Sequence, residues 1–224
     1  MINTQDQEEL FKLIAEYLSE DTKCLAIGGT AMMFSGYKNT TKDIDLIFGS
    51  EKERNIFIKA IEKLGYKEKA LFGIYDEKRR AHEGKPKMFS RGEERFDLFV
   101  KNVFGFELDL NNTSFTQRHD FLGKKELIVK VLPKEYLILL KAITGREKDQ
   151  EDIETISSVE KEIDWQFIIN EAVKQRNSNQ WLLYDLEAAM QKLRTKIFIK
   201  KQYFDQLYQE EDSAVKKSKK LTKE

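Results

Sequence analysis

The chain has 224 residues, enough for one large domain or for a core domain with a smaller appended one. Hydrophobic residues make up 40% of the chain and charged residues 35%, which indicates a globular protein with a heavily ionised surface. Lysine plus arginine and aspartate plus glutamate both total 39, so the net charge gives no reason to expect a protein that coats nucleic acid.

The cysteine content and the lack of long apolar runs bear on the cellular compartment. Cys24 is the only cysteine, which excludes an internal disulfide and a thiolate metal cluster, and its apolar neighbours predict a buried thiol. No apolar run approaches the ~20 residues that a membrane-spanning helix needs. The first residues also lack the basic and apolar pattern of a signal peptide. We therefore expect a soluble, cytoplasmic protein.

Helical and strand patterns alternate along the N-terminal part of the chain. Apolar residues from Leu10 to Leu18 recur at helical spacing and predict an opening helix over residues 5–20. The next predicted elements are a strand at 25–27, a short apolar helix at 30–36, a strand at 43–48 and a helix at 51–64. Two glycines separate the first strand from the short helix, and a change of period marks each transition.

The middle of the chain is mostly strand-like, and the C-terminal part is helical. Residues 87–89 and 95–99 flank a turn at 90–93 and predict a β-hairpin. Further short strands are predicted at 106–110 and 127–132, and Pro133 then marks the change to helical spacing. Helices are predicted at 134–143, 149–160 and 164–176, and across 180–208.

These elements predict an α+β fold, with a mixed β-sheet flanked by helices and followed by a C-terminal helical region. The change of pattern near Pro133 predicts a first domain over residues 1–132 and a helical domain over residues 133–210. Residues 211–224 are rich in lysine and poor in large apolar residues, so we expect a basic disordered tail.

The segment with the strongest chemical signal begins with the glycine loop, Gly28-Gly29-Thr30, which directly follows a strand. Glycines have no Cβ, so the backbone of this loop can approach a ligand closely. A helix that begins at such a loop points amide donors at the same place, which favours an anion such as a triphosphate. The hydroxyl of Thr30 can add a further donor to a phosphate oxygen.

The second part of the signal is the pair Asp43 and Asp45, two residues apart on a predicted strand. Alternation along a strand places both carboxylates on one face. Two like charges this close are unfavourable without a cation between them. Magnesium prefers oxygen ligands and is usually held by one or two carboxylates plus substrate phosphates. Either pattern alone is common and weak, but the two in this order predict a site for a metal-bound nucleotide.

Two stretches carry a family resemblance: Gly28 to Ala31, and Thr41-Lys42-Asp43-Ile44-Asp45-Leu46. They resemble the signature of the DNA polymerase β-like nucleotidyltransferase superfamily. Within it they are most similar to the AbiEii-type nucleotidyltransferases, which include toxins of toxin–antitoxin and abortive-infection systems. The resemblance implies a nucleotidyltransferase fold and Mg²⁺-dependent transfer of a nucleoside monophosphate (NMP) from a nucleoside triphosphate (NTP) to an acceptor hydroxyl. The acceptor would be RNA, such as a tRNA 3′ end, or a protein, and an antitoxin would be a partner.

The resemblance also implies a third carboxylate on a later strand, and the chain offers Asp97 and Asp109. We favour Asp97, because the predicted hairpin places it on a central strand beside the first two acids. Aspartate is also disfavoured in strands, which is an independent reason to suspect a role. The predicted catalytic residues and metal ligands are therefore Asp43, Asp45 and Asp97.

A second resembling region runs from Lys141 to Ile153 and has a lysine on an apolar helix followed by Asp149 and Asp152. A buried lysine is costly unless it is paired, so Lys141 is expected either to face a triphosphate or to reach solvent at the helix end. Asp149 and Asp152 could be the N-cap and the third-position acid of the next helix; capping is favoured for Asp152, and Asp149 could pair with Lys141. The predicted nucleotide-binding residues are Gly28, Gly29, Thr30, Lys42, Lys141 and Asp149.

The other polar features are weaker. His82 and His119 have no metal-ligand spacing and are expected to be exposed loop residues. A basic cluster around the hairpin is more typical of a solvated surface than of a nucleic-acid contact; its members are Arg79, Arg80, Lys85, Lys87 and Arg91. Two alternative functions stay open: an inactive module of the same fold that binds a nucleotide or a partner, and a transferase that modifies a small molecule such as an antibiotic.

Overall fold

The computed structural model describes residues 1–70, 84–108, 110, 117–179 and 181–221, with side chains described up to residue 211. The chain divides into two compact units, Met1–Pro133 and Lys134–Glu224. The first unit contains a β-sheet with helices, and the described part of the second is helical. The predicted α+β fold class is therefore confirmed.

The strands of the first unit are short, and most lie in one sheet. They are β1 (Ile2–Asn3), β2 (Thr22–Ala26), β3 (Thr40–Thr41), β4 (Asp43–Phe48), β5 (Lys67–Lys69), β6 (Lys87–Arg91), β7 (Glu94–Val100), β8 (Asn102–Val103), β9 (Phe106–Glu107), β10 (Gln117–Leu122) and β11 (Glu126–Val131). Among the described residues of this unit, the helices are α1 (Thr4–Tyr17), α2 (Gly28–Phe34) and α3 (Glu51–Lys63).

The main sheet is mixed, with the order β10-β11-β2-β4-β7-β6-β5. The pairs β11–β2 and β4–β7 are parallel, and the other neighbours on this path are antiparallel. Strands β6 and β7 form the predicted hairpin, which confirms that expectation. Strands β4 and β7 lie side by side at the centre of the sheet. A side chain at the centre is shielded by strands on both sides, so this is where a buried polar site can form.

One face of the central strands is covered by an aromatic core. Phe48 on β4 contacts Phe57 on α3, with ring centroids 5.3 Å apart. Phe57 in turn meets Phe96 on β7 at 5.5 Å. Because side chains alternate along a strand, the neighbours of Phe96 and Phe48 point to the opposite face. That face carries the aspartates of both strands, so α3 packs on one side of the sheet and leaves the acids on the other.

The second unit contains helices α4 (Lys134–Thr144), α5 (Glu147–Val159), α6 (Trp165–Gln175), α7 (Leu182–Leu193) and α8 (Lys201–Leu221). Helix α4 packs against α5, α6 and α7 and is nearly apolar, with Leu137, Ile138 and Leu139 each about 1% exposed. The described residues of the chain contain no helix that is long and apolar enough to cross a membrane.

Several elements differ from their predictions. The helix expected across 180–208 is broken between α7 and α8, where the β-branched residues Thr195, Ile197 and Ile199 are poor helix formers. The tail predicted to be disordered from residue 211 is helical as far as Leu221, because its lysine, glutamate and alanine are good helix formers. Strands β1, β3, β5, β8 and β10 were not among the individual strands predicted from the sequence.

Candidate active site

Aspartates from two neighbouring parallel strands meet at the centre of the sheet. In the register of β4 and β7, Asp45 lies opposite Asp97 and Asp43 lies opposite Arg95. Residues two apart on a strand share a face, so all four side chains lie on the same side. Asp97 is 4% exposed, while Asp43 and Asp45 are half-buried. The structure therefore brings together Asp43, Asp45 and Asp97, the three acids predicted from the sequence, which we call the acid cluster.

Arg95 lies between two members of the acid cluster. Its Nε is 3.1 Å from Oδ1 of Asp97, and its Nη2 donates to Oδ2 of Asp97 at 3.3 Å and to Oδ2 of Asp43 at 2.5 Å. The sequence interpretation did not assign a role to Arg95. The available signal was its position two residues before Asp97, which places it on the same face of the strand as the acids.

The glycine loop packs directly against the acid cluster. The Gly29 amide donates to Oδ2 of Asp45 at 3.3 Å. A Cβ at Gly28 would lie 2.4 Å from the same oxygen, and Gly28 has a φ of +54°, which disfavours other residues. A Cβ at Gly29 would lie 2.4 Å from Oγ1 of Thr41. Both glycines are therefore required by how closely the loop approaches strands β3 and β4.

Hydrogen bonds tie the loop to β4. The backbone amide of Asp45 donates to Oγ1 of Thr30 at 2.9 Å, and the amide of Ile27 donates to the carbonyl of Asp45 at 3.1 Å. Thr41 donates its hydroxyl to the carbonyl of Asp43 at 3.1 Å. Thr30 is fully buried, so the structure gives it a role in attaching the loop to the strand. Its predicted contact with a phosphate stays a prediction.

We expect Gly28→Ala to lower any activity of this site by about 10²-fold, because the new Cβ would push the Asp45 carboxylate out of place. Gly36→Ala is a matched control, since Gly36 also has a positive φ, +75°, but nothing lies within 4 Å of its Cβ position. Both variants introduce the same kind of backbone strain, but only the Cβ at position 28 would clash with Asp45. Steady-state rates that fall equally in the two variants would contradict the proposed clash.

A cavity of about 400 Å³ opens beside Asp43 and Arg95. Lys42, which is exposed, lines the same cavity with Met1 and Ser90. The N-terminal residues lie beside this cavity because β1 pairs with β3. The acid cluster therefore has an open space next to it, with Lys42 at its edge, and the predicted contact of Lys42 with a nucleotide stays a prediction.

The acid cluster fits a hard divalent cation by its chemistry, because it offers only carboxylate oxygens. Within the described residues, no group of three or more His, Cys, Asp or Glu side chains already converges as metal ligands. Arg95 supplies the positive charge between Asp43 and Asp97. The carboxylate oxygens are thus of the chemical kind that a hard cation takes, while a guanidinium balances two of the three acids in this structure.

In the second unit, Lys141 lies in a buried ion-pair network with Asp149 and Asp152, which we call the Lys141 cluster. Its Nζ donates to Oδ2 of Asp152 at 2.6 Å and lies 3.5 Å from Oδ1 of Asp149. Lys141 is 6% exposed, so the expectation that it reaches solvent is wrong. The predicted pairing with Asp149 is confirmed, and the predicted contact of both residues with a nucleotide stays a prediction.

The capping role favoured for Asp152, and considered for Asp149, is wrong. Helix α5 begins at Glu147, with Arg146 as its N-cap residue and no side-chain cap. Asp149 therefore lies in the first turn, and Asp152 lies inside the helix. Asp149 instead accepts hydrogen bonds from Thr144 and Arg146. The helix starts two residues earlier than predicted, and both carboxylates form ion pairs with the buried Lys141.

Asp149 should make the second unit sensitive to acid. Burial acts to raise the pKa of its carboxyl, but Arg146, Lys141 and Thr144 outweigh burial and hold the pKa below the ordinary value of 3.8. A lowered pKa adds stability that is present above pH 3.8 and is lost as the pH falls through the pKa of the folded state. Both tryptophans, Trp165 and Trp181, lie in this unit and report its unfolding.

We expect the free energy of unfolding, measured by tryptophan fluorescence, to fall on acidification from pH 6 to pH 3. The Asp149→Asn variant should start less stable and show a flatter profile, because the titrating carboxyl is gone. An Asp149→Asn profile parallel to that of the wild type would show that other groups cause the acid sensitivity.

The remaining polar predictions have different outcomes. His119 was expected on an exposed loop but lies on β10, where it is half-buried and stacks on Phe34 with ring centroids 4.2 Å apart. Burial lowers the pKa of His119. Arg91 of the basic cluster is engaged with Glu94. His82, Asp109, Arg79 and Arg80 lie outside the described residues. Cys24 is a buried strand thiol, as predicted, and burial raises its pKa.

Comparison with curated proteins gives no match. A solution structure of the antibiotic-resistance factor ANT(2'')-Ia is similar to this chain, with a TM-score of 0.49 and 14% sequence identity; the match covers 82% of this chain and 97% of that one. The model of a protein family described as "Nucleotidyltransferase of unknown function (DUF6036)" matches residues 6–203. The predicted likeness to the AbiEii type stays a prediction. The chain belongs to this family of nucleotidyltransferases, in agreement with the broader class that the Gly28 and Asp43 motifs predicted.

Proposed function

We propose that the chain transfers an NMP from an NTP to an acceptor hydroxyl and releases pyrophosphate. The observation that carries this proposal is the register of the central strands, which sets Asp45 opposite Asp97 with Asp43 on the same face. The glycine loop lies against the same carboxylates, with the amide of Gly29 at 3.3 Å from Asp45. Catalysis of phosphoryl-type transfer consists mostly of positioning the substrate and neutralising its charge. A backbone that a ligand can approach closely and a group of acids that can hold a metal ion suit these two tasks.

Asp43, Asp45 and Asp97 would hold the metal ion, for which we propose Mg²⁺, because it prefers oxygen ligands and is commonly bound by carboxylates together with phosphates. When bound, such an ion neutralises charge on the phosphate oxygens and lowers the pKa of the acceptor hydroxyl. The other contributions come from the residues of the chain itself.

In the proposed reaction, Asp97 accepts the proton of the acceptor hydroxyl. A bond forms between the acceptor oxygen and the α-phosphorus, and the bond from the α-phosphorus to the bridging oxygen breaks, so pyrophosphate leaves with its electron pair. The glycine loop lets the triphosphate approach, and Lys42 at the cavity edge adds a positive charge. Asp97 suits the role of base because it is buried at the centre of the sheet, directly opposite Asp45.

For the acceptor we propose RNA, such as a tRNA 3′ end, or a protein, in the setting of a cytoplasmic toxin–antitoxin pair. The support is the likeness of residues 28–31 and 41–46 to the AbiEii-type motifs. The test uses each α-labelled NTP in turn, with Mg²⁺ and with tRNA or cell protein as acceptor. We expect label on one acceptor class together with equimolar pyrophosphate. Release of pyrophosphate with neither acceptor labelled would contradict both acceptor classes and would favour a small-molecule acceptor.

One observation favours the alternative of an inactive binding module: Arg95, rather than a set of converging metal ligands, balances the acids. Calorimetry with ATP, CTP, GTP and UTP, with and without Mg²⁺, separates the two functions. An enzyme should bind at least one NTP in a Mg²⁺-dependent way and release pyrophosphate once the acceptor is added. Binding without pyrophosphate release for every acceptor would support the module instead.

A further inference from the structure

Arg95 is placed as a counter-cation inside the acid cluster. Its guanidinium contacts both oxygens of Asp97, at 3.1 and 3.3 Å, and one oxygen of Asp43 at 2.5 Å. The Asp97 side chain is 5% exposed, and those of Asp43 and Arg95 are 30% and 28% exposed. The contact is therefore partly withdrawn from solvent, where an ion pair of this geometry is stronger than on an open surface.

The need for such a cation follows from the register of the sheet. Asp45 and Asp97 are direct cross-strand partners, and Asp43 lies two residues from Asp45 on the same face. Like charges directly opposite each other destabilise a sheet. The amide of Gly29 satisfies Asp45 in part, at 3.3 Å, and Arg95 provides a full positive charge to the other two acids.

The same oxygens are the ones that a divalent cation would use. A guanidinium donor and a metal ion both need the lone pairs of the carboxylate, and an oxygen that accepts a strong hydrogen bond is a weaker metal ligand until that bond is given up. Arg95 is long and flexible, and the cavity next to Asp43, which Arg95 also lines, offers space for its side chain to move.

We propose that Arg95 is a built-in competitor of the metal ion: it holds Asp43 and Asp97 together in the metal-free protein and is displaced when the metal binds. The metal in question is that of the proposed function, on which this inference rests. Two consequences follow. The metal-free protein is stabilised by Arg95, and the affinity for metal is lowered by the free energy needed to break the contact with the two acids.

The test is calorimetric titration of the full chain with Mn²⁺ as probe, repeated with Mg²⁺, together with the melting temperature with and without metal. Arg95→Met keeps a long side chain but removes the charge, and we expect it to bind Mn²⁺ roughly tenfold more tightly and to melt at a lower temperature without metal. Arg95→Lys keeps the charge but cannot contact both carboxylates as a fork, so its affinity should lie between those of wild type and Arg95→Met.

Arg91→Met is the matched control, because Arg91 belongs to the same hairpin and forms an ion pair with Glu94 outside the acid cluster. We expect its Mn²⁺ affinity to equal that of the wild type. If Arg95→Met does not fold, Arg95→Lys still tests the order of affinities. Unchanged or weaker Mn²⁺ binding in both Arg95 variants would overturn the competition.

These outcomes separate this inference from the proposed function. Tighter binding in the Arg95 variants, with no label transfer by the wild type, would leave the competition standing and overturn the transferase. Label transfer by the wild type, together with an Mn²⁺ affinity that does not depend on Arg95, would support the transferase and overturn the competition. No Mn²⁺ or Mg²⁺ binding by the wild type would overturn both.

Discussion

Replacing Asp97 by asparagine should lower nucleotidyl transfer by about 10³-fold, within the range for a positioned general base that also contributes negative charge to a metal site. An amide of the same size can neither take the proton of the acceptor hydroxyl nor offer a second anionic oxygen. The measurement is the initial rate at saturating NTP and metal, with the fold checked by thermal unfolding.

Asp120→Asn is the control for this substitution. Asp120 is also a strand aspartate paired with an arginine, Arg118, but it lies on the edge strand β10 with its side chain 41% exposed. We expect its transfer rate to match the wild type. An Asp97→Asn variant that keeps more than about a tenth of the wild-type rate would exclude Asp97 as the general base, and Asp109 would become the residue to test.

The second large effect is on stability. Lys141→Met should lower the free energy of unfolding of the second unit by about 3–5 kcal/mol, because it removes the ammonium group that pairs with the buried carboxylate of Asp152. The double variant Lys141→Met with Asp152→Asn should recover much of the loss, since it removes both charges. Chemical unfolding followed by tryptophan fluorescence measures both, because Trp165 and Trp181 lie in this unit.

Lys134→Met provides the comparison on the same helix. Lys134 pairs with Glu160 at 2.7 Å, but their side chains are 25% and 27% exposed, so the pair should be worth less than about 1 kcal/mol. Equal losses in Lys134→Met and Lys141→Met would show that burial does not control the strength of these pairs. A double variant as unstable as Lys141→Met alone would show that the loss comes from packing of the lysine stem rather than from charge.

Much of the site could be predicted because its signals are local. Polar and apolar residues alternate in Asp43, Ile44 and Asp45, which predicts strand β4. The turn at 90–93 predicts that Asp97 lies on the second strand of a hairpin. The close approach of the glycine loop follows from residue type, since Gly28 and Gly29 lack a Cβ. These features depend on residues that are close in sequence, and hydrophobic periodicity and turn residues predict such local features well.

The rest depended on register and on contacts between distant segments. The position of Arg95 between Asp43 and Asp97 requires β4 and β7 to be parallel and in one register, which strand periodicity does not specify. The stacking of His119 on Phe34 joins residues 85 positions apart. The pairing of Lys141 with Asp152 joins two helices, and the start of α5 at Glu147 was missed because element boundaries are the least reliable part of a prediction from sequence.

The most direct test of nucleotidyl transfer at the acid cluster compares the wild type with the double variant Asp43→Ala, Asp45→Ala. Both are incubated with α-labelled NTP, Mg²⁺ and the acceptor, and labelled product and pyrophosphate are measured together. We expect equimolar product and pyrophosphate from the wild type, and neither from a double variant that unfolds at a temperature close to that of the wild type. A folded double variant that labels the acceptor at the wild-type rate would contradict transfer at this site.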